Sequence, residues 1–492
     1  YNELNERGTW ADNIAFWTSS ADFNCEEALA EIVPVGEVKD NLFNVKVINT
    51  LSFSRNSVVS VAVPSSFLGK NLRVKDSKGK DVRFSLIGDR IVFRVGMRPF
   101  SMATFSVKVT SKRKESGTVV KEYSSEDGLV TVASDLYTII FDPSRGGTIV
   151  GLKTSCGDEY ADAKSARAIN ELRGFFYDEG KWHSSADAPA RISVKKTEGL
   201  TSEVEIDGSI AGMPFKQTIV LTDGDPLITC SLHIDWKSDV GIGKYRQSDA
   251  HDSRRRAFYD DRFKLNVLFP TSLVNPSLYK EAPFDVCKSA EEDTFYDSWD
   301  RIKHNIIHDW VDLLGEDGKG LALFSDHTTS YSFGKDFPLG LTVQFSGNGL
   351  WGRNYPVSGA TEIRYAFMPH FGAWDSAGVY ERNQEWNEPL MCFVTGDDST
   401  KEHTFIDAEG TGYAVSAFYQ TEGGFMLRLY NADGDDNVKT IRLGFPVSEI
   451  VETDLLGNAV SRVGLNEKSG STGSFSVSAP RFSIRTYLLK TE

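Results

Sequence analysis

Asp309-Trp310-Val311-Asp312-Leu313 opens the stretch that decides the fold. A glycine-rich turn follows at Glu316-Asp317-Gly318-Lys319-Gly320, then the apolar run Leu321-Ala322-Leu323-Phe324 and later Leu341-Thr342-Val343. It closes with Tyr365-Ala366-Phe367-Met368-Pro369-His370 and Trp386-Asn387-Glu388-Pro389-Leu390. Short apolar runs bounded by turn residues predict buried strands.

The same punctuation continues outward. Upstream, Tyr137–Phe141, Ser202–Ile210, Phe215–Leu221 and Leu227–Trp236 are strand-like, without intervening helical periodicity. That pattern predicts large antiparallel sheets rather than βαβ units. Phe43, Val45 and Val47 alternate with polar residues, as do Val59, Val61 and Val63, and turns lie at Ser77-Lys78-Gly79 and Ile87-Gly88-Asp89. These residues predict a small sandwich. Glu26 to Val35 reads as the end of a helix, stopped at Pro34. Beyond Leu390, Tyr413–Tyr419, Gly424–Tyr430 and Phe482–Leu489 predict a last β unit. The expected division is a helical remnant at 1–38, a small β-sandwich at 39–112, a linker at 113–127, a large sandwich at 128–390 and a C-terminal β-sandwich at 391–492.

Composition excludes several classes. A chain of 492 residues exceeds one core, since domains run to about 100–200 residues. The net charge of -15 argues against a nucleic-acid partner, which calls for a basic face. No apolar run reaches the ~18 residues of a membrane span, so a soluble protein is expected. The compartment stays open between the cytoplasm and a bacterial periplasmic or extracytoplasmic space. Five cysteines, odd in number and without C-x-x-C spacing, argue against a disulfide framework or a zinc-thiolate site.

Two segments carry residue types suited to sugar. Tyr296-Asp297-Ser298-Trp299-Asp300 sets two carboxylates beside two aromatic rings. A ring stacks on the C–H face of a pyranose, carboxylates accept its hydroxyls, and paired carboxylates are the usual glycosidase machinery. Gly349-Leu350-Trp351-Gly352-Arg353 sets an indole and a cation in a glycine-flanked loop. The candidate substrate-binding residues are therefore Trp351, Arg353, Tyr296, Asp297, Trp299 and Asp300, set against a reading in which these are ordinary polar loops with packing aromatics. His304-Asn305-Ile306-Ile307-His308 has the i, i+4 spacing of a helical zinc site, but Asn305 stands where a metalloprotease needs Glu. Its isoleucines favour a strand and structural histidines.

The order of these pieces resembles the C-terminal half of the family 38 glycoside hydrolases, the retaining α-mannosidases. Val47-Ile48-Asn49-Thr50-Leu51-Ser52-Phe53-Ser54-Arg55 looks like the family's first β domain, and Gly146-Gly147-Thr148-Ile149 with Asp235-Trp236 like the opening of its large one. Lys264-Leu265-Asn266-Val267-Leu268-Phe269-Pro270 and the pieces of the deciding stretch complete the match, from about Leu29 to Leu443. The resemblance implies an all-β chain: a large antiparallel β-supersandwich of the galactose-mutarotase-like kind, flanked by smaller β-sandwich domains, with a short N-terminal helical remnant. It implies hydrolysis of α-linked mannose in glycans. It places the nucleophile, the acid/base and a zinc ion in a preceding catalytic domain. No catalytic or metal-ligating residue is carried over, and no cofactor is expected in this chain. The implied partners are a mannose-containing glycan and the chain's own N-terminal catalytic domain, with homo-oligomerisation left open. Around Ser346 the chain lacks an Arg that many relatives carry near the sugar site, and Arg353 is the nearest substitute. Two alternatives stay open: a freestanding carbohydrate-binding β-sandwich protein, and a mutarotase-like or lyase-like enzyme using His308 and Asp300.

Overall fold

The computed structural model describes residues 10–32, 38–111, 119–120, 124–126, 128–197, 199–243, 261–289, 305–334, 337–350, 353–397, 402–432, 435–469 and 472–491. All the strand pairings between them are antiparallel, as the period-two runs require.

The first sandwich packs a six-stranded sheet on a three-stranded one. Phe43, Val45 and Val47 of Leu42–Asn49 face Val59, Ile91 and Phe93 across a shared core. Two strands of the larger sheet come from far downstream. Met391–Thr395 pairs with Leu42–Asn49, and Glu402–Thr404 pairs with Ser101–Val109. By sequence this segment was expected to open the C-terminal sandwich. Alternation shows that a strand has one apolar face, not which sheet receives it.

The central unit is a supersandwich. One layer is a ten-stranded sheet running from Asp285–Lys288 through Trp310–Leu314, Lys319–Ser325, Val357–Phe371 and Ile228–Val240 to Val119–Val120. Facing it are a six-stranded sheet and a four-stranded one, which share a single apolar core with it. Leu321, Leu323, Tyr365 and Phe367 from the deciding stretch lie in that core, each 0% exposed. The third unit packs a four-stranded sheet on a five-stranded one around Leu427, Ile441, Phe475 and Leu489.

The described residues include two α-helices. The first, α1 (Trp10–Ile32), lies within the helical remnant expected at 1–38 and ends in the segment read as a helix end. The second, α2 (Val379–Asn387), covers the outer face of the ten-stranded sheet. There Trp310, Ala322, Phe324 and Met368 form a second apolar cluster with Trp374 and Val379. The C-terminal sandwich docks on this cluster. Phe482 stacks 6.3 Å from Trp374, and Arg481 stands 4.5 Å over that indole and 2.8 Å from Asp375.

Beside this junction Glu281, on Ser277–Ala282, is shielded from water and its Oε2 finds no hydrogen-bond partner. Burial, with the charge of Asp309 adding to it, pushes its carboxyl up to about 8. Tyr380 of α2 and Tyr430 of the C-terminal sandwich close around it. An acid whose folded pKa exceeds its ordinary value favours folding below that ordinary value and loses this stability as pH rises through the folded value. Wild type is therefore expected to lose roughly 3 kcal/mol between pH 5 and 8 that Glu281→Gln retains. Urea midpoints of both proteins at the two pH values test this; parallel pH profiles would exclude Glu281 as the cause.

Candidate functional site

A set of polar residues lies on the outer face of the supersandwich's six-stranded sheet. In Leu265–Phe269, Leu265, Val267 and Phe269 enter the supersandwich core, which turns Asn266, and Lys264 before the strand, to the other side. By the same parity Tyr331 turns Ser330 outward, and Leu341 and Val343 turn Thr342 outward.

These polar side chains form a buried ladder. Asp261 sits in the single turn Asp261–Phe263 ahead of the strand. Lys264 Nζ lies 2.6 Å from Asp261 Oδ1, with the two side chains 6% and 7% exposed. Asn305 Nδ2 donates to Asp261 Oδ2 at 3.1 Å, and the Ser330 hydroxyl is 2.8 Å from Asp261 Oδ1 and 2.9 Å from Thr342 Oγ1. Thr342 Oγ1 donates onward to Asn266 Oδ1 at 3.1 Å. The ammonium of Lys264 also stands 4.4 Å over the Phe345 ring. Burial raises the Asp261 carboxyl above its usual range, against the pull of Lys264, Asn305 and Ser330. No polar atom of these six side chains is left buried without a partner. A charge pair with all its polar atoms bonded to neighbouring segments fastens those segments together.

The neighbouring side chains follow the same logic. Ser346 is 4% exposed, and its hydroxyl and N–H both engage the backbone of Ile242. Near the place where the resemblance leads one to expect an arginine, this short hydroxyl is bonded to the chain's own backbone. Trp182 stacks on Phe263 at 5.1 Å, with the Arg173 guanidinium 3.9 Å over its ring.

Tyr296, Asp297, Trp299 and Asp300 lie outside the described residues, as do Trp351 and His304. Arg353 opens the short strand Arg353–Tyr355, with Leu350 opposite it. The described part of the His304–His308 segment is a strand, Ile306–Ile307, paired with Thr329 and Ser330. His308 is half-buried beside it. His370 is held by Asp312, with Nε2 2.7 Å from Oδ1, and both side chains are nearly inaccessible. The ring fills the space above Gly320, where a Cβ would stand 2.2 Å from it. That is a packing role for His370. The buried ladder itself was not visible as a site in the sequence. Only Lys264-Leu265-Asn266 hinted at it, by putting polar residues in every other position of an apolar strand.

Zinc is the metal that the family resemblance implies. Among the described residues no group of three His, Cys, Asp or Glu could hold a metal ion. The His370–Asp312 pair offers two donors, already turned on each other. These residues do not fit a zinc centre.

Comparison with known proteins agrees with the architecture. The family description "Glycosyl hydrolases family 38 C-terminal domain" matches residues 176–344, and "Glycosyl hydrolases family 38 C-terminal beta sandwich domain" matches residues 413–487. An α-mannosidase from Enterococcus faecalis superposes over 95% of this chain and 59% of its own, with a TM-score of 0.64 and 14% identity. A family 38 glycosyl hydrolase from the same organism superposes over 99% of this chain and 63% of its own, with a TM-score of 0.66 and 12% identity. Human alpha-mannosidase 2C1 is 28% identical over 204 residues, which cover 39% of this chain and 19% of the human protein. The fold is thus a supersandwich with flanking β-sandwiches, of the kind found in carbohydrate-cleaving enzymes. Residues 176–344 and 413–487 are thus recognised as C-terminal domains of glycosyl hydrolase family 38. The chain spans 59% and 63% of the length of the two solved structures.

Proposed function

We propose that this chain is the non-catalytic β portion of a retaining α-mannosidase, and that it walls the substrate site of a catalytic domain it does not contain. The observation that carries this reading is the pair of family 38 matches on a fold that the solved family members share along nearly its whole length. The full enzyme would release α-linked mannose by double displacement through a glycosyl-enzyme intermediate. Nucleophile, acid/base and zinc would belong to the other domain. The Asp261–Lys264 ladder would keep the adjoining loops in register at the wall. Helix α1 supports a further partner, because Phe16, Trp17 and Phe23 stand 68%, 53% and 58% exposed along it. Apolar surface of this kind marks a contact face.

The chain by itself is expected to release no nitrophenol from p-nitrophenyl α-mannoside, with or without added zinc. Zinc-dependent turnover by the purified chain, abolished by a chelator, would overturn the reading.

A further inference from the structure

A second cleft lies away from the ladder, where the first sandwich meets the supersandwich. It encloses about 480 Å³, within the range of small-molecule sites, about 300–1,000 Å³. Three separate elements line it: Arg55 from the first sandwich, Thr222, Asp225 and Thr229 from the supersandwich, and Glu385 with Trp386 from α2.

The charges in it nearly cancel. Arg55 faces Asp225, Glu385 and Glu388, while Glu385 is bonded by Arg382. The Arg55 guanidinium gives its two terminal nitrogens to the carbonyls of Glu388 and Glu385, and its buried Nε has no partner. Burial raises the carboxyls of Asp225 and Glu385, so each holds a proton more readily than an exposed acid. The cleft thus offers carboxyl oxygens, threonine hydroxyls and an indole, with little net charge to attract an ion. That set matches a ligand rich in hydroxyls and poor in charge, with C–H patches to lie on an indole.

We infer that this cleft is a non-catalytic binding site for a neutral saccharide. Asp225 and Glu385 take its hydroxyls, Arg55 holds the floor of the cleft in place, and Trp386 takes its apolar face. A bound sugar would touch the first sandwich, the supersandwich and α2 together, and so would stiffen the angle between them.

The inference does not rest on the mannosidase reading, because it concerns binding and not turnover. Mannose, α-mannobiose and maltose are titrated calorimetrically into the whole chain and into Thr229→Trp, Trp386→Ala and Glu362→Ala. Thr229→Trp fills the cleft while Arg55 itself stays in the sequence. Glu362, 76% exposed on its side chain and not among the cleft's lining residues, serves as control. Saccharide heat is expected from wild type and Glu362→Ala, with affinity down about tenfold or more in Thr229→Trp and Trp386→Ala. If Trp386→Ala fails to fold, Thr229→Trp decides. Absence of heat at millimolar saccharide from the folded wild-type chain overturns the inference, as does unchanged affinity in Thr229→Trp.

Discussion

Arg55→Met is expected to destabilise the protein by about 4 kcal/mol, in the range found when one partner of a buried charged contact is removed. Arg55 is 4% exposed, yet it reaches from the first sandwich to the end of α2. Its Nη1 donates to Glu388 O at 2.7 Å and its Nη2 to Glu385 O at 2.6 Å. The last carbonyls of a helix have no partner within the helix, and here one arginine serves two of them. Its loss also leaves Glu385 and Glu388 without their shared cation. Arg55→Lys should recover only part of the stability, because an ammonium cannot place two donors in one plane. Urea unfolding followed by tryptophan fluorescence reads the loss. A midpoint in Arg55→Met close to wild type would show that the contact holds nothing.

The second large effect belongs to the buried ladder. Lys264→Met should cost about 4 kcal/mol, because it strands the Asp261 carboxylate at 7% exposure. Adding Asp261→Leu to the same protein should restore part of that stability, since it removes the stranded charge but leaves Asn305 and Ser330 without their acceptor. The double-mutant cycle separates the two terms. If the double variant is as unstable as the single one, the cost lies in packing, and the charge pair is not the fastening described above. Near-native circular dichroism in the double variant confirms that the comparison is between folded proteins.

Much of the β architecture was legible because apolar period two is a local signal. Phe43, Val45 and Val47 announced a strand before any partner was known. Which partner they take is not local. Lys46 stands opposite Phe393, and nothing near either residue encodes the other. Helix α1 showed only its end in the sequence, at Glu26 to Val35; ahead of it the hydroxyls of Thr18, Ser19 and Ser20 donate to the carbonyls of Ile14, Ala15 and Phe16, one turn back. The resemblance located the family from ordered fragments, and two of those fragments prove to be one contact: the arginine closing Val47–Arg55 grips the backbone just ahead of Asn387–Leu390 and at Glu388. The ladder was less legible, because Asp261, Asn305, Ser330 and Thr342 come from separate segments that only the folded sheet brings together. Of the sugar-site candidates, Arg353 has a described backbone, and the others lie outside the described residues.

The late strands of the first sandwich carry one more consequence. Asn44 reaches across 352 positions of sequence to the carbonyl of Gly396. On a ribosome, Leu42–Asn49 would emerge well before Met391–Thr395 is made, with its outer edge open in the meantime. At about 5–20 residues per second that interval is on the order of half a minute. An unpaired strand edge held so long invites other chains to pair with it. Production of this protein is therefore expected to depend on holding chaperones, and any shortened version ending before Met391 would carry that open edge for good.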